Sequence, residues 1–488
     1  MAQPKIKINA LDTFPGNYKV VTTDGTGGIP GVAYLITAAY GKSLAATVIS
    51  APVPTGVNNF FIGTTASGLS SGANNLVVGV QSALTTGSDN VLLGPGAGLQ
   101  LNIGNSNVAV GAQAMSVNTF SADNVAVGAW ALRNNSTGYS NVAVGKDSMR
   151  QNSNGFENVS VGFQSLNINT DGIRNTSIGT KALSYNSSGN YNVAVGFSAL
   201  IGNDTGTSNV AIGSSALAYS DAGNNNIGIG REALITNRVG NNNIALGEQA
   251  IGNCTVALHS VGIGFQSLRI VGGFEAANVL IAGKTYFILV VGTTDFTLIG
   301  AATNTFGTVF TATGPGTGTG TAGCRTQDNI AIGRLALGEN YSGSNNIAIG
   351  YQAGADVVRN IVNTDNEIVI GNNAHTAAFI KVAFTVTSDE RDKTSFANVP
   401  LGLQFINSIS PIAYRMRTSR EDPTPVGRVR YGFKAQDILG KEGNSPVLID
   451  DSDPENLKYN ESSMIAVLVK AVQDLSMELD ALKRTVQG

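Results

Sequence analysis

The chain has 488 residues, 60 of them glycine, with only 13% charged residues and a formal net charge of −3. That balance offers no basic surface for nucleic acid or for an anionic membrane. Its two histidines (His259, His375) and two cysteines (Cys254, Cys324) are too few and too ill-spaced for a metal centre or a disulfide framework, and no cofactor motif is present.

The first residues, MAQPKIKINALDTF, lack the apolar stretch of a signal peptide, and no apolar run in the chain approaches the roughly 20 residues of a membrane helix. A soluble protein made in the cytoplasm is therefore expected, with no membrane insertion. Residues 1–57 read as an attachment segment. They carry short β-type runs at Tyr18-Lys19-Val20-Val21 and Ala33-Tyr34-Leu35-Ile36.

From residue 58 a repeat takes over. Its core is Asn–apolar–small–apolar–Gly, and the Gly falls at 63, 79 and 94, then every 17 residues from Gly94 to Gly264, and again at 333, 350 and 371. The Asn precedes the Gly by four residues in 14 of these 16 copies; Ser260 and Glu367 are the exceptions. From Gly111 onward the third residue after Gly is Ala or Ser (Ala114, Ala131, Ser148, Ser165, Ala182) and the fourth is usually Leu or Met (Met115, Leu132, Met149, Leu166, Leu183). A second Gly lies three before the Asn at Gly155, Gly172, Gly189 and Gly206. Such a unit, with one short strand and fixed turn residues, is one coil of a parallel β-roll or β-solenoid.

The strand Val125-Ala126-Val127 completes its backbone hydrogen bonds only when stacked on Val108-Ala109-Val110 and Val142-Ala143-Val144. Gly is expected to supply φ > 0 at the turns, Asn to tolerate left-handed backbone, and stacked Asn side chains to form ladders along the axis. About 15 coils at roughly 4.8 Å give a rod on the order of 70 Å long. Neither face of the strand is polar. The small middle residue is read as close packing of one coil stack against another, hence an oligomer; the residues themselves also allow a monomeric solenoid with a wide core. The residue after Gly varies (Ala129, Lys146, Phe163, Thr180, Phe197, Arg231, Glu248, Phe265, Tyr351) and is expected to face solvent. Of the aromatics there, and the single Trp130, any could touch a glycan; scattered exposed apolar residues are the blander reading. The Asn-Val-Ala-Val-Gly and Asn-Ile-Ala-Ile-Gly units over 58–268 and 329–372 resemble the repeats in the heads of trimeric autotransporter adhesins. That resemblance implies three chains side by side, although those repeats are typically shorter than 17 residues.

The insert at 269–328 breaks the pattern without breaking its register. Tyr286–Val291, Phe296–Ile299 and Val309–Thr311 read as strands, followed by a flexible or turn-rich GPGTGTGTAG. Loops on a rigid scaffold are where binding concentrates, so the insert is a receptor-contact candidate, with a stabilising collar as the alternative. Residues 329–387 resume the repeats and end the fibre.

Residues 388–488 change character, with 28 charged residues in 101 against 35 in the 387 before them. Val429–Ala435 and Pro446–Ile449 read as strands. A helix follows Asn460, and Ile465, Leu468, Val472, Leu475, Leu479, Leu482 and Val486 alternate steps of three and four, the stripe of a coiled coil. The sequence Ser388-Asp389-Glu390-Arg391-Asp392-Lys393, with Tyr431–Asp437 and the Met464–Leu468 helix, resembles the endosialidase-type intramolecular chaperone domain that ends many phage tail fibres. The resemblance implies a domain that trimerises, sets the fibre in register and then cuts itself off. On this chain it makes Ser388 the nucleophile and Lys393 the general base, with the cut at Ser388–Asp389. A lysine acts as a base only if burial or nearby positive charge lowers its pKa, and Arg391 is one such neighbour.

The whole reads as mainly β: a trimeric parallel β-roll fibre of 17-residue coils with a small α/β C-terminal chaperone ending in a coiled-coil helix. The function expected is the structural and receptor-binding subunit of a phage tail fibre in the virion. Its partners would be a homotrimer of itself, a host-surface glycan or protein, and a baseplate or tail protein at the N-terminus. A bacterial trimeric surface adhesin, or a tailspike that degrades polysaccharide, is the alternative. The second would need paired carboxylates in a groove, and the repeats are poor in Asp and Glu.

Overall fold

The computed structural model describes residues 18–22, 34–38, 59–62, 72–79, 86–254, 256–269, 275–280, 282–305, 308–356, 359–372, 374–375, 389–417, 420, 422–443, 446–451, 454–455 and 457–487. Contacts divide the chain into two units, 1–347 with 362–368, and 348–361 with 369–488. Near the N-terminus, β1 (Tyr18–Thr22) and β2 (Tyr34–Ala38) pair antiparallel, where the two β-type runs were expected.

The repeats form a parallel β-solenoid. Three-residue strands, one per coil, run from β3 (Phe60–Ile62) to β14 (Ile244–Leu246) and continue through β16 (Val261–Ile263), β21 (Ile330–Ile332), β22 (Ile347–Ile349) and β23 (Ile368–Ile370) as one sixteen-stranded sheet. Equivalent residues pair in register: Val108 with Val125, Val125 with Val142, and, across the insert, Val261 with Ile330. The two early copies with shorter spacing pair in the same way, Phe60 with Leu76 and Leu76 with Val91. A second wall of each coil is marked by parallel bridges linking Val117, Asn134, Gln151, Ile168 and Tyr185.

Each coil closes its own core, which corrects the expected role of the small middle residue. Ala109, Ala126, Ala143 and Ala194 are fully buried inside the coil, together with Met115, Leu132, Met149 and Leu200. A Cβ placed on Gly228, in the same slot, lies 3.2 Å from Leu217 Cγ. Alanine is there because the Leu from the opposite wall fills the interior, and a larger residue would overpack it. The flanking Val and Ile residues point outward instead and stay half-buried or exposed, as at Ile178 (41%) and Ile349 (40%). The result is an apolar ribbon along the sheet.

Two asparagine ladders line the interior. In the first, the expected one, each motif Asn accepts from the next: Asn124 N and Nδ2 donate to Asn107 Oδ1 at 3.1 and 3.2 Å, and Asn158 repeats this on Asn141 at 3.0 and 3.1 Å. The second runs through Asn135, Asn152, Asn169, Asn186 and Asn203, with Nδ2-to-Oδ1 bonds of 2.6–2.7 Å. The motif Asn is not itself left-handed, contrary to expectation. The residue before it is (Ser106, Asp123, Ser140, Glu157), which frees the Asn side chain to bond along the axis. Left-handed backbone also falls on buried Met115, Leu132, Met149 and Leu166, with φ of 45–50°. Each such residue costs about 1–2 kcal/mol, so a lone coil is unfavourable and only stacking stabilises it. The motif Gly is bound twice over: Gly128 has φ 138°, and a Cβ on it would sit 2.5 Å from the Gly145 carbonyl oxygen.

The insert folds around its own core of Tyr286, Ile288, Phe296, Phe310 and Ala322. Strands β17 (Glu275–Ala276), β18 (Thr285–Val290), β19 (Val309–Thr311) and β20 (Thr321–Gln327) build it, and β20 also pairs parallel with β15 (Val256–Leu258) of the preceding coil. One expectation fails here, and a second narrows to its turn-rich form. Phe296–Ile299 is a 3₁₀ turn, started by the Asp295 side chain accepting from Thr297 N and ended by left-handed Gly300. The GPGTGTGTAG stretch is pinned: Gly316 N donates to the Ala277 carbonyl at 2.6 Å, and Thr321–Gly323 already belong to β20.

Candidate functional site

The second unit holds the residues expected to process and assemble the fibre. α1 (Leu403–Ser408), β24 (Ile412–Arg417), β25 (Pro425–Gly432), α2 (Ala435–Glu442), β26 (Ile449–Asp450), β27 (Lys458–Tyr459) and α3 (Glu461–Gln487) follow in order. The strand expected over Val429–Ala435 stops at Gly432, and Ala435 starts α2. The one expected at Pro446–Ile449 narrows to Ile449–Asp450, because Glu442 already takes the amides of Val447, Leu448 and Ile449 at 2.6–3.0 Å. Phe405, Ile409, Ile438, Leu448, Ile449, Met464 and Val467 form one core.

Helix α3 presents two stripes. Met464, Val467 and Ala471 are buried against that core. The heptad stripe lies one residue out of step with them, and all seven of its members are exposed, from 46% at Leu468 to 76% at Val486. The heptad is therefore not consumed by its own domain. It is an unpartnered apolar seam on a 27-residue helix, about 40 Å long. Asp474 ties α3 to α1: its carboxylate accepts from Leu403 N at 3.2 Å and from Lys470. Those contacts, the lysine first, hold its pKa below the ordinary carboxylate range. A Cβ on Gly402 would lie 2.1 Å from Asp474 Oδ2, so a side chain there would push the carboxylate aside.

Of the processing residues, Ser388 lies outside the described residues. Asp389 opens a 3₁₀ turn, Glu390–Asp392, and its carboxylate accepts from Arg391 N at 2.9 Å and from the Arg391 guanidinium at 2.6 Å. That pairing lowers the Asp389 pKa. Lys393 follows, exposed, with its backbone N donating to the Glu390 carbonyl at 3.0 Å. Arg391, expected as a positive neighbour for Lys393, has its charge taken up by Asp389.

The second Asn ladder and the Met464–Val467–Ala471 stripe were not anticipated. Their signal was present as a further 17-residue Asn spacing and a second three-and-four spacing. The bond from Leu403 to Asp474 and the Glu442 cap carry no such signal. In the second ladder Cys254 takes an Asn position. Burial pushes its thiol up to about 11, and its Sγ rests 3.6 Å from Thr326 Oγ1.

Residues 388–439 match the family described as chaperone of endosialidase. No curated protein and no solved structure matches the chain. The match covers the start of the charge-rich segment, and the core continues beyond it into α3. A β-solenoid followed by such a segment fits a fibre- or tailspike-type protein that assembles as a trimer.

Proposed function

We propose that the chain is the structural and receptor-binding subunit of a phage tail fibre, a homotrimer whose C-terminal segment directs assembly and then cuts itself off beside Ser388. The observation that carries the reading is the pair of unpartnered apolar surfaces. The Val/Ile ribbon runs along the solenoid sheet, and the heptad seam runs along α3. One chain fills the inside of its coils with its own side chains and leaves both surfaces uncovered, so side-by-side copies supply what is missing. The chaperone match at the end of the fibre supports the same arrangement.

The chemistry follows from the assembly. A serine hydroxyl attacks only when a base takes its proton. In this proposal Lys393 is that base, and neighbouring chains supply the burial and charge that lower its pKa. Cleavage then reports a correctly formed trimer. A guide is needed because near-identical coils can slip by one repeat and because each coil is strained until stacked. Once the guide is gone, refolding is untemplated and the fibre is held kinetically. The variable residues of the coils, and the insert, are where host recognition is placed.

The test is intact mass and denaturing gel of the expressed chain beside Ser388→Ala and Lys393→Ala. Loss of the segment after Ser388 in the parent alone is the expected result. An uncut parent that nonetheless forms a stable trimer removes the self-cleavage proposal and leaves the fibre reading.

A further inference from the structure

The coils around Trp130 carry a charge arrangement that the rest of the array does not. Arg133 and Arg150 occupy the same coil position one repeat apart, with Asn134 N donating to the Arg150 carbonyl at 2.9 Å. Their stems therefore leave the rod about one coil spacing, ~4.8 Å, from each other. The same position is neutral in the next coils: Asn167, Ser184, Ile201, Ala218 and Ile235. Lys146 adds a third, exposed cation, 5.2 Å from the centre of the Trp130 ring, and the Arg150 guanidinium carbon lies 5.8 Å from it.

Against three cations stands the carboxylate of Asp147. Its side chain is only 6% exposed, and its Oδ1 lies 3.7 Å from Arg150 Nε, too far for a hydrogen bond. That Oδ1, Arg133 Nε and Arg150 Nε are all buried without a hydrogen-bond partner. Like charges held one coil apart repel, and buried polar atoms without partners cost about 1–3 kcal/mol each. The fold nonetheless fixes the group. Trp130 is left-handed (φ 59°), and its indole Nε1 donates to Gln113 Oε1 at 3.0 Å, which favours this ring position. It is also the chain's single tryptophan.

We propose that Trp130, Arg133, Lys146 and Arg150 form a binding site for a saccharide bearing a carboxylate. A guanidinium pair offers parallel N–H donors that match a carboxylate's two oxygens. The incoming anion relieves the repulsion that the empty site carries. An indole beside it offers a flat apolar surface for the C–H face of a sugar ring. Asp147 lies 3.7 Å from Arg150 Nε, close enough for its charge to act on the guanidinium.

The inference rests on the receptor-binding reading and narrows it. The experiment is a glycan array probed with the full chain, covering sialylated, uronate-containing, sulfated and neutral saccharides. It is followed by calorimetric titration of the best carboxylated sugar and of its methyl ester. Retention of carboxylated sugars, at least a tenfold loss on methyl esterification, and a similar loss in Arg150→Gln and Trp130→Leu are expected. Lys146→Gln changes an exposed side chain and should weaken binding several-fold without touching the fold, while Tyr219→Ala, at an exposed aromatic five coils away, should leave it unchanged. Carboxylate binding that survives both Arg150→Gln and Lys146→Gln overturns the site. So does retention of sulfated or neutral sugars alone, which leaves the receptor reading standing. No retention of any saccharide overturns the site and glycan recognition together.

Discussion

Replacing Asn158 by alanine asks whether the buried amide ladder holds the rod together. Asn158 is fully buried. Its Nδ2 donates to Asn141 Oδ1 at 3.1 Å and to the Gly172 carbonyl at 2.9 Å, and its Oδ1 accepts from Asn175 N and Nδ2 at 2.9 and 3.2 Å. In Asn158→Ala the Asn175 side chain keeps the Gly189 carbonyl, and the Gly172 carbonyl keeps Asn169 Nδ2, each at 2.8 Å. The Asn175 backbone N–H keeps nothing. One orphaned buried donor costs about 1–3 kcal/mol, and the lost bond to Gly172 adds about 1 kcal/mol, so about 2–4 kcal/mol is expected. A rod that unfolds irreversibly is best read by its unfolding rate in guanidinium. If the coil opens before the barrier, that rate should rise roughly 30-fold to 900-fold. Asn154→Ala is the control: Asn154 is exposed, and its Nδ2 bonds Asp171 Oδ1 at 2.8 Å. It should change stability by less than about 0.5 kcal/mol. Equal rates for the two variants would refute the idea that the interior ladder, rather than surface bonding, carries the stack.

Two glycines two residues apart should respond oppositely. Gly228→Ala places a methyl where Ala211 and Ala245 already hold one in the coils on either side, and should be neutral or stabilise by up to about 1 kcal/mol. Gly230→Ala meets φ 130° and a carbonyl oxygen 2.5 Å away, and should destabilise by several kcal/mol; melting temperatures distinguish the pair. In the C-terminal unit, Asp474 has a depressed pKa, so its contribution is present above the ordinary carboxylate value and lost as pH falls through its lower folded one. Amide exchange over Leu403–Ser408 should accelerate on acidification in the parent, and be fast but pH-insensitive, apart from intrinsic chemistry, in Asp474→Asn. The same acid response in both would remove Asp474 as the link between α1 and α3.

The sequence made the long-range pairing legible because the Gly and Asn positions mark every coil, even across the insert, where Val261 meets Ile330. It did not reveal which side of the strand is inside. Val and Ala are both apolar, and only the Leu arriving from the opposite wall decides that Ala faces the core. Left-handed backbone was assigned to the motif Asn by residue preference. The structure gives it to Ser106 and Glu157 beside it and to buried Leu132 and Leu166, where stacking overrides preference. In the insert, Phe296–Ile299 has strand composition, yet Asp295 and Gly300 cap it as a 3₁₀ turn. The α3 seam was readable as a heptad. Its exposure was not, because the domain packs on Met464, Val467 and Ala471 instead.

Sedimentation equilibrium of the purified rod measures directly whether the exposed Val/Ile ribbon is covered by further copies. Three chains per particle across a range of concentrations is the result this account predicts. A stable, folded particle with the mass of one chain, no more than 50.2 kDa, would contradict it.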